Sequence, residues 1–131
     1  MPKRLRLFFL YDRRLLGALS RCAWETVREL YGAGLEDRHA APGMVVSIQT
    51  YGDLANWQPH LHALVSAGVV NREGVFTPLQ LPPAGVAEEL FRRRVIRMLS
   101  SSHPKPILKC QTVKRCSRIS IMRMFLPAFS M

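Results

Sequence analysis

The sequence predicts an α+β fold: an antiparallel sheet flanked by helices, incomplete, with a basic, irregular tail at its C-terminal end. Three observations predict it. A long segment with apolar residues at three- and four-residue steps opens the chain. Three short β-branched stretches then follow one another without an intervening helix. A second helical segment closes the patterned region. Strands this close in sequence pair most simply as an antiparallel meander.

The first helix is expected from Asp12 to about Ala33, where Leu15, Leu19, Cys22, Ala23, Val27, Leu30 and Tyr31 form one apolar stripe. Asp12 is the expected N-cap and Gly32 or Gly34 the expected stop. The opposite face carries Arg13, Arg14, Arg21, Glu25, Arg28 and Glu29. A Gly- and Ala-rich loop, GAGLEDRHAAPG, leads to MVVSIQTYG, a strand over Met44 to Gly52. After DLANWQP, Pro59 leads into a second strand from His60 to about Val70. Side chains alternate across a strand, so His60, His62, Leu64 and Ser66 share one face and Leu61, Ala63 and Val65 the other. NREG (71–74) is a turn, and VFTPL is a short strand that Pro78 confines to an edge or an end.

The second helix is expected within LPPAGVAEELFRRRVIRMLSSS, with Pro82 and Pro83 at its start. Its expected stripe is Val86, Leu90, Val95 or Ile96, and Leu99. Arg92, Arg93, Arg94 and Arg97 load its last turns with positive charge and are the expected DNA-binding residues. Past Ser100 the character changes. SSHPKPILKCQTVKRCSRISIMRMFLPAFSM has no acidic residue and no clean period. We therefore divide the chain into a partial domain over 1–99 and a basic tail over 100–131, the tail being poorly ordered or the product of a departed reading frame.

Composition narrows the partners. The chain has 131 residues, 19 Lys+Arg against 9 Asp+Glu and a net charge of +10, a balance that fits a polyanion, nucleic acid first. Three cysteines in no metal pattern suit a reducing, cytoplasmic setting. No apolar run approaches the roughly 20 residues of a membrane span.

The pair His60 and His62 carries the chemistry. Two residues apart on one strand face, their Cα atoms lie about 7 Å apart and both imidazoles can converge on one divalent ion. Such an ion polarises a phosphodiester. Gln49 is a further ligand candidate, because its strand is expected to pair with the histidine strand. The alternative is a pair of structural histidines in a non-catalytic, basic nucleic-acid-binding domain. His39 and His103 are read as surface residues.

The stretch QTYGDLANWQPHLHALVSAGVV resembles the signature of rolling-circle insertion-sequence transposases with two catalytic tyrosines, members of the HUH endonuclease superfamily (His, bulky hydrophobe, His). Here that motif is His60, Leu61 and His62. PKRLRLFFLYDRRLLGAL resembles the start of the same domain and LFRRRVIRML its arginine-rich helix, so the resemblance spans roughly Pro2 to Leu99. It implies a sheet-and-helix core of the ferredoxin or RNA-recognition layout and Mg²⁺ or Mn²⁺ on the paired histidines. It also implies attack on single-stranded DNA by a tyrosine on a downstream helix, leaving a 5′-phosphotyrosine bond. The chain departs from the pattern in three ways. Its tyrosines are Tyr11, Tyr31 and Tyr51, none after the pair; Gln58 stands where many relatives have another His; and the family's N-terminal cysteine-rich zinc module is missing. The expectation is DNA transposition chemistry in a truncated copy without its nucleophile.

Overall fold

Two helices, not one, precede the sheet. A computed structural model describes residues 3–33, 35, 37, 39–52, 56–80, 83–102 and 122–125. In it α1 (Lys3–Tyr11) and α2 (Arg14–Gly32) meet at Asp12. The Asp12 amide still donates to Phe8 O at 2.9 Å, while its carboxylate accepts the Arg14 amide at 3.0 Å and its carbonyl the Leu15 amide at 3.2 Å. Asp12 thus ends one helix and satisfies a free amide of the next, one residue before the cap position at Arg13. At the other end α2 closes at Gly32, and its cap residue Ala33 keeps a helical φ of −65°.

The sheet comprises β1 (Ala41–Tyr51), β2 (Trp57–Val70), β3 (Phe76–Pro78) and β4 (Met122–Phe125). The order β1-β2-β3 is the expected antiparallel meander. Both long strands start earlier than their β-branched cores: β1 takes in Ala41 to Gly43 across a register shift, and β2 begins at Trp57. Pro59 therefore lies inside β2. It is tolerated because the β1–β2 register shifts between Gln49 and Tyr51, where no ladder amide is required of it. Asn71 Oδ1 accepts the amides of Glu73 and Val75 in the β2–β3 turn, and Gly74 supplies the φ of +82° that it needs.

The backbone of β4 pairs parallel to β2, from Leu61↔Met122 to Leu64↔Phe125, so the stretch expected to be irregular contributes a strand. The helix α3 (Ala84–Ser102) also runs past the expected boundary at residue 99. Residues 103–121 and 126–131, which hold most of the expected tail, lie outside the described residues.

All three helices pack on one face of the sheet. Leu5 and Phe9 of α1, Leu15, Leu19, Cys22 and Ala23 of α2, and Phe91, Val95 and Leu99 of α3 close over Leu61 of β2. Val27 and Tyr31 cover Ala63, Val65 and Val69 farther along the strand. The α2 stripe matches the periodicity, with Thr26 added: its buried hydroxyl donates back to Cys22 O at 2.7 Å. The α3 stripe agrees with the expected one at Val95 and Leu99 and is one residue out of phase before them, with Ala87 and Phe91 in place of Val86 and Leu90. Ala87, Phe91, Val95 and Leu99 are buried, whereas Val86 is 47% exposed and Leu90 and Ile96 are half-buried. The aromatic ring at Phe91 carries the larger apolar surface and sets the rotation of the helix. No described helix is long and apolar enough to cross a membrane.

Candidate functional site

With the helices on one side, the other side of β1 and β2 is open, and the even-numbered residues of β2 face it. Leu61 turns inward at 2% exposure, while His60 and His62 on either side of it turn outward and are half-buried. Their ring centroids stand 4.9 Å apart with the planes at 64°. The register places Gln49 directly opposite His60 and Ser47 opposite His62, so these four side chains share a face. A shallow depression of about 330 Å³ beside His62 is lined by Val45, Ser47, Ala63 and Leu64.

Backbone chemistry fixes one of the rings. His60 Nδ1 lies 2.7 Å from Gln58 O. A carbonyl only accepts, so Nδ1 carries the hydrogen, and in the neutral ring the lone pair is on Nε2. This is how metal-ligating histidines are oriented in general. Gln49 offers an amide oxygen. Among the described residues no group of three or more His, Cys, Asp or Glu side chains is placed to hold a metal. The two imidazoles, the cross-strand Gln49 amide and the Ser47 hydroxyl are donors that this face presents.

The arginines of α3 are distributed differently from a free basic stripe. Arg94 reaches across to α2 and pairs with Glu25 at 2.8 Å and with Glu29. Arg92 and Arg93 both pair with Glu89 on their own helix, at 2.6 and 2.7 Å. The hydrogen bonds from Arg92, then from Arg93, hold the Glu89 carboxyl below the usual carboxylate range. Arg97 is exposed, and the Arg93 side chain keeps 68% of its surface in solvent. The expected DNA-binding set is therefore partly occupied in tying α3 to α2.

Of the three tyrosines, Tyr11 and Tyr31 belong to the helices, and Tyr51 lies two residues beyond Gln49 in the exposed row of β1. Tyr31 is buried and donates to Ser66 O at 2.7 Å; Tyr51 is set edge-on to Trp57; Tyr11 is 85% exposed at the end of α1. His39 is an exposed loop residue, as expected, and His103 lies outside the described residues.

The family model described as "Putative transposase" (Y2_Tnp) matches residues 43–125, which takes in all but the first two residues of β1, the histidine strand and α3. The chain belongs to this transposase family. A curated relative, the "Transposase for insertion sequence element IS801" of Pseudomonas savastanoi pv. phaseolicola, is 35% identical over 94 residues. That match covers 72% of this chain and 21% of the relative, so the chain spans about a fifth of the length of the transposase it resembles. No solved structure matches. The family match thus contains the histidine pair, Gln49 and all four arginines of α3, and leaves out Tyr11 and Tyr31.

Sequence reasoning missed one cluster. At the end of the β1–β2 pair, Trp57 Nε1 donates to Arg6 O at 3.2 Å, and Arg6 Nη1 donates to Trp57 O at 3.4 Å. Arg13 Cζ lies 5.8 Å from the Trp57 ring centroid, a cation–π contact, and Tyr51 meets the same ring at 5.6 Å. The clustering of arginines and aromatic residues in PKRLRLFFLYDRR is the signal that could have found it, once Trp57 was known to return to that helix.

Proposed function

We propose that this chain supplies the metal-holding strand of a transposase acting on single-stranded DNA, with His60, His62 and Gln49 binding Mn²⁺ or Mg²⁺ and the exposed Arg93 and Arg97 of α3, on the helix side of the sheet, contacting the phosphate backbone. The observation that carries the reading is the pair of outward imidazoles 4.9 Å apart, one with its hydrogen fixed on Nδ1 by Gln58 O. Rings that each place a nitrogen roughly 2.1 Å from a shared ion have centroids no more than about 6.4 Å apart, and this spacing meets that bound. Two nitrogens and an amide oxygen suit Mn²⁺ better than Mg²⁺, which prefers an all-oxygen shell. When bound, the ion would supply charge stabilisation at a phosphodiester.

The rest falls to the protein. Leu61 anchors the strand from beneath, so the rings are held by the core. Arg93 and Arg97 provide cations that hold a phosphate chain without reading its sequence. None of the three tyrosines follows the histidine pair in the chain, so we assign none of them as nucleophile and expect no phosphotyrosine bond from this chain alone. The competing reading, a non-catalytic nucleic-acid binder with structural histidines, has one observation in its favour: the lack of a third His, Cys, Asp or Glu ligand among the described residues.

Single-stranded oligonucleotide binding, followed by fluorescence anisotropy with and without Mn²⁺, tests the proposal. The chain binds more tightly with Mn²⁺, and the gain vanishes in the double variant His60→Ala with His62→Ala. Affinity falls with salt by a log–log slope of roughly −0.7 per phosphate neutralised. An equal Mn²⁺ response in the variant supports the competing reading. A covalent protein–DNA adduct on a denaturing gel would refute the assignment of the tyrosines.

A further inference from the structure

We infer that the corner built by Arg13, Tyr51 and Trp57 is a stacking site for an unpaired base of the DNA strand. This rests on the single-stranded DNA reading above and gives that strand a path off the histidine strand. Trp57 alone has a structural explanation, because it is half-buried, packs against the core and is tied to Arg6 through two hydrogen bonds. Its neighbours do not share that explanation. Tyr51 keeps 56% of its surface exposed although a large aromatic ring gains from burial. Arg13 is exposed, lies against the same indole and has no carboxylate partner among the described residues. The adjacent Arg14 extends a side chain that is 97% exposed.

The geometry suits a nucleotide. Tyr51 and Trp57 stand 5.6 Å apart with their planes at 84°, which makes an L-shaped corner: a base stacked on one ring meets the other edge-on. Trp57 is already held in place, so ordering the corner costs little on binding. Arg13, against the indole, supplies a cation for a phosphate flanking the stacked base, whereas Arg14 is paired with Asp12 at 3.8 Å. Trp57 and His60 are three residues apart on one strand, about 10 Å. A single strand spans that distance within a few nucleotides, and only a base free of its partner can enter the corner between the two rings. The corner therefore selects an unpaired strand and has no use for a duplex.

The test separates base stacking from phosphate attraction. Binding of single-stranded oligodeoxythymidylate is compared with that of the same backbone lacking bases, in a metal chelator so that the histidines take no part. Wild type prefers the base-bearing strand. Tyr51→Ala weakens binding to it by roughly five-fold to a hundred-fold and removes the preference, because one stack is lost. Tyr51→Phe keeps the ring and retains the preference. Arg13→Ala weakens both ligands. Melting curves establish that each variant is folded, as expected for exposed side chains. A preference unchanged in Tyr51→Ala overturns the corner and leaves the DNA reading intact. If the wild-type chain binds neither ligand, both fall together.

Discussion

Replacing Gly68 with alanine is the sharpest local test of the fold. Gly68 is buried in β2 opposite Pro78, at the point where β3 crosses close to it. A Cβ there would sit 2.2 Å from Thr77 O, 2.7 Å from Phe76 Cζ and 2.8 Å from Pro78 Cα. Two of these are backbone atoms, so no rotamer change relieves the clash. Restoring contact distance needs a displacement of about 1 Å or more. The strand that yields is β3, which has three residues, all exposed, whereas β2 is pinned by Val65 and Val69 in the core. The cost is the β2–β3 ladder and part of the packing of Leu79, whose amide donates to Ala67 O at 3.0 Å. Overpacking of this kind costs about 1–3 kcal/mol. For a chain of this size that lowers the melting midpoint by roughly 3–12 °C. Thermal denaturation followed by far-ultraviolet circular dichroism gives the midpoint, and amide exchange shows whether β3 has detached. An unchanged midpoint with the β2–β3 amides still protected would refute the close approach.

Other consequences follow from the same packing. Leu61→Ala empties a site that is 2% exposed beneath both histidines; it is expected to cost about 2–5 kcal/mol in a denaturant titration and to weaken Mn²⁺ binding as well. Burial pushes the Tyr31 phenol above its ordinary value, and its hydroxyl donates to Ser66 O. The stability this group gives is therefore full below the ordinary phenol range and is lost as pH rises through the raised value. Tyr31→Phe is expected to be about 0.5–1.5 kcal/mol less stable than wild type at neutral pH, the difference shrinking in an alkaline series of melts.

How much of this was legible beforehand differs by element, and the reasons are physical. The two-residue period of β2 placed His60 and His62 together because a buried Leu61 leaves its neighbours no other side. The α2 stripe was legible because seven apolar residues recur on one face. On α3 two rows compete, Val86 with Leu90 and Ala87 with Phe91, and only the sheet decides between them. The helix α1 was hidden, since its apolar residues are consecutive and its break at Asp12 depends on a side-chain hydrogen bond. The α3 arginines read as a free basic face because Glu25 and Glu29, which hold Arg94, are 69 and 65 residues away in the chain. The Glu89 pairs lie at i, i+3 and i, i+4 and were legible from spacing. The Trp57 corner required knowing that α1 packs against the start of β2, a fact of tertiary structure.

The central claim is that His60 and His62 jointly hold a divalent ion. Titration calorimetry with Mn²⁺ tests it most directly, using wild type and the His60→Ala, His62→Ala double variant, both shown by circular dichroism to be folded. Saturable heat with one ion per chain is expected for wild type and none for the variant, with Mg²⁺ bound more weakly. Matching heats from the two proteins would contradict it.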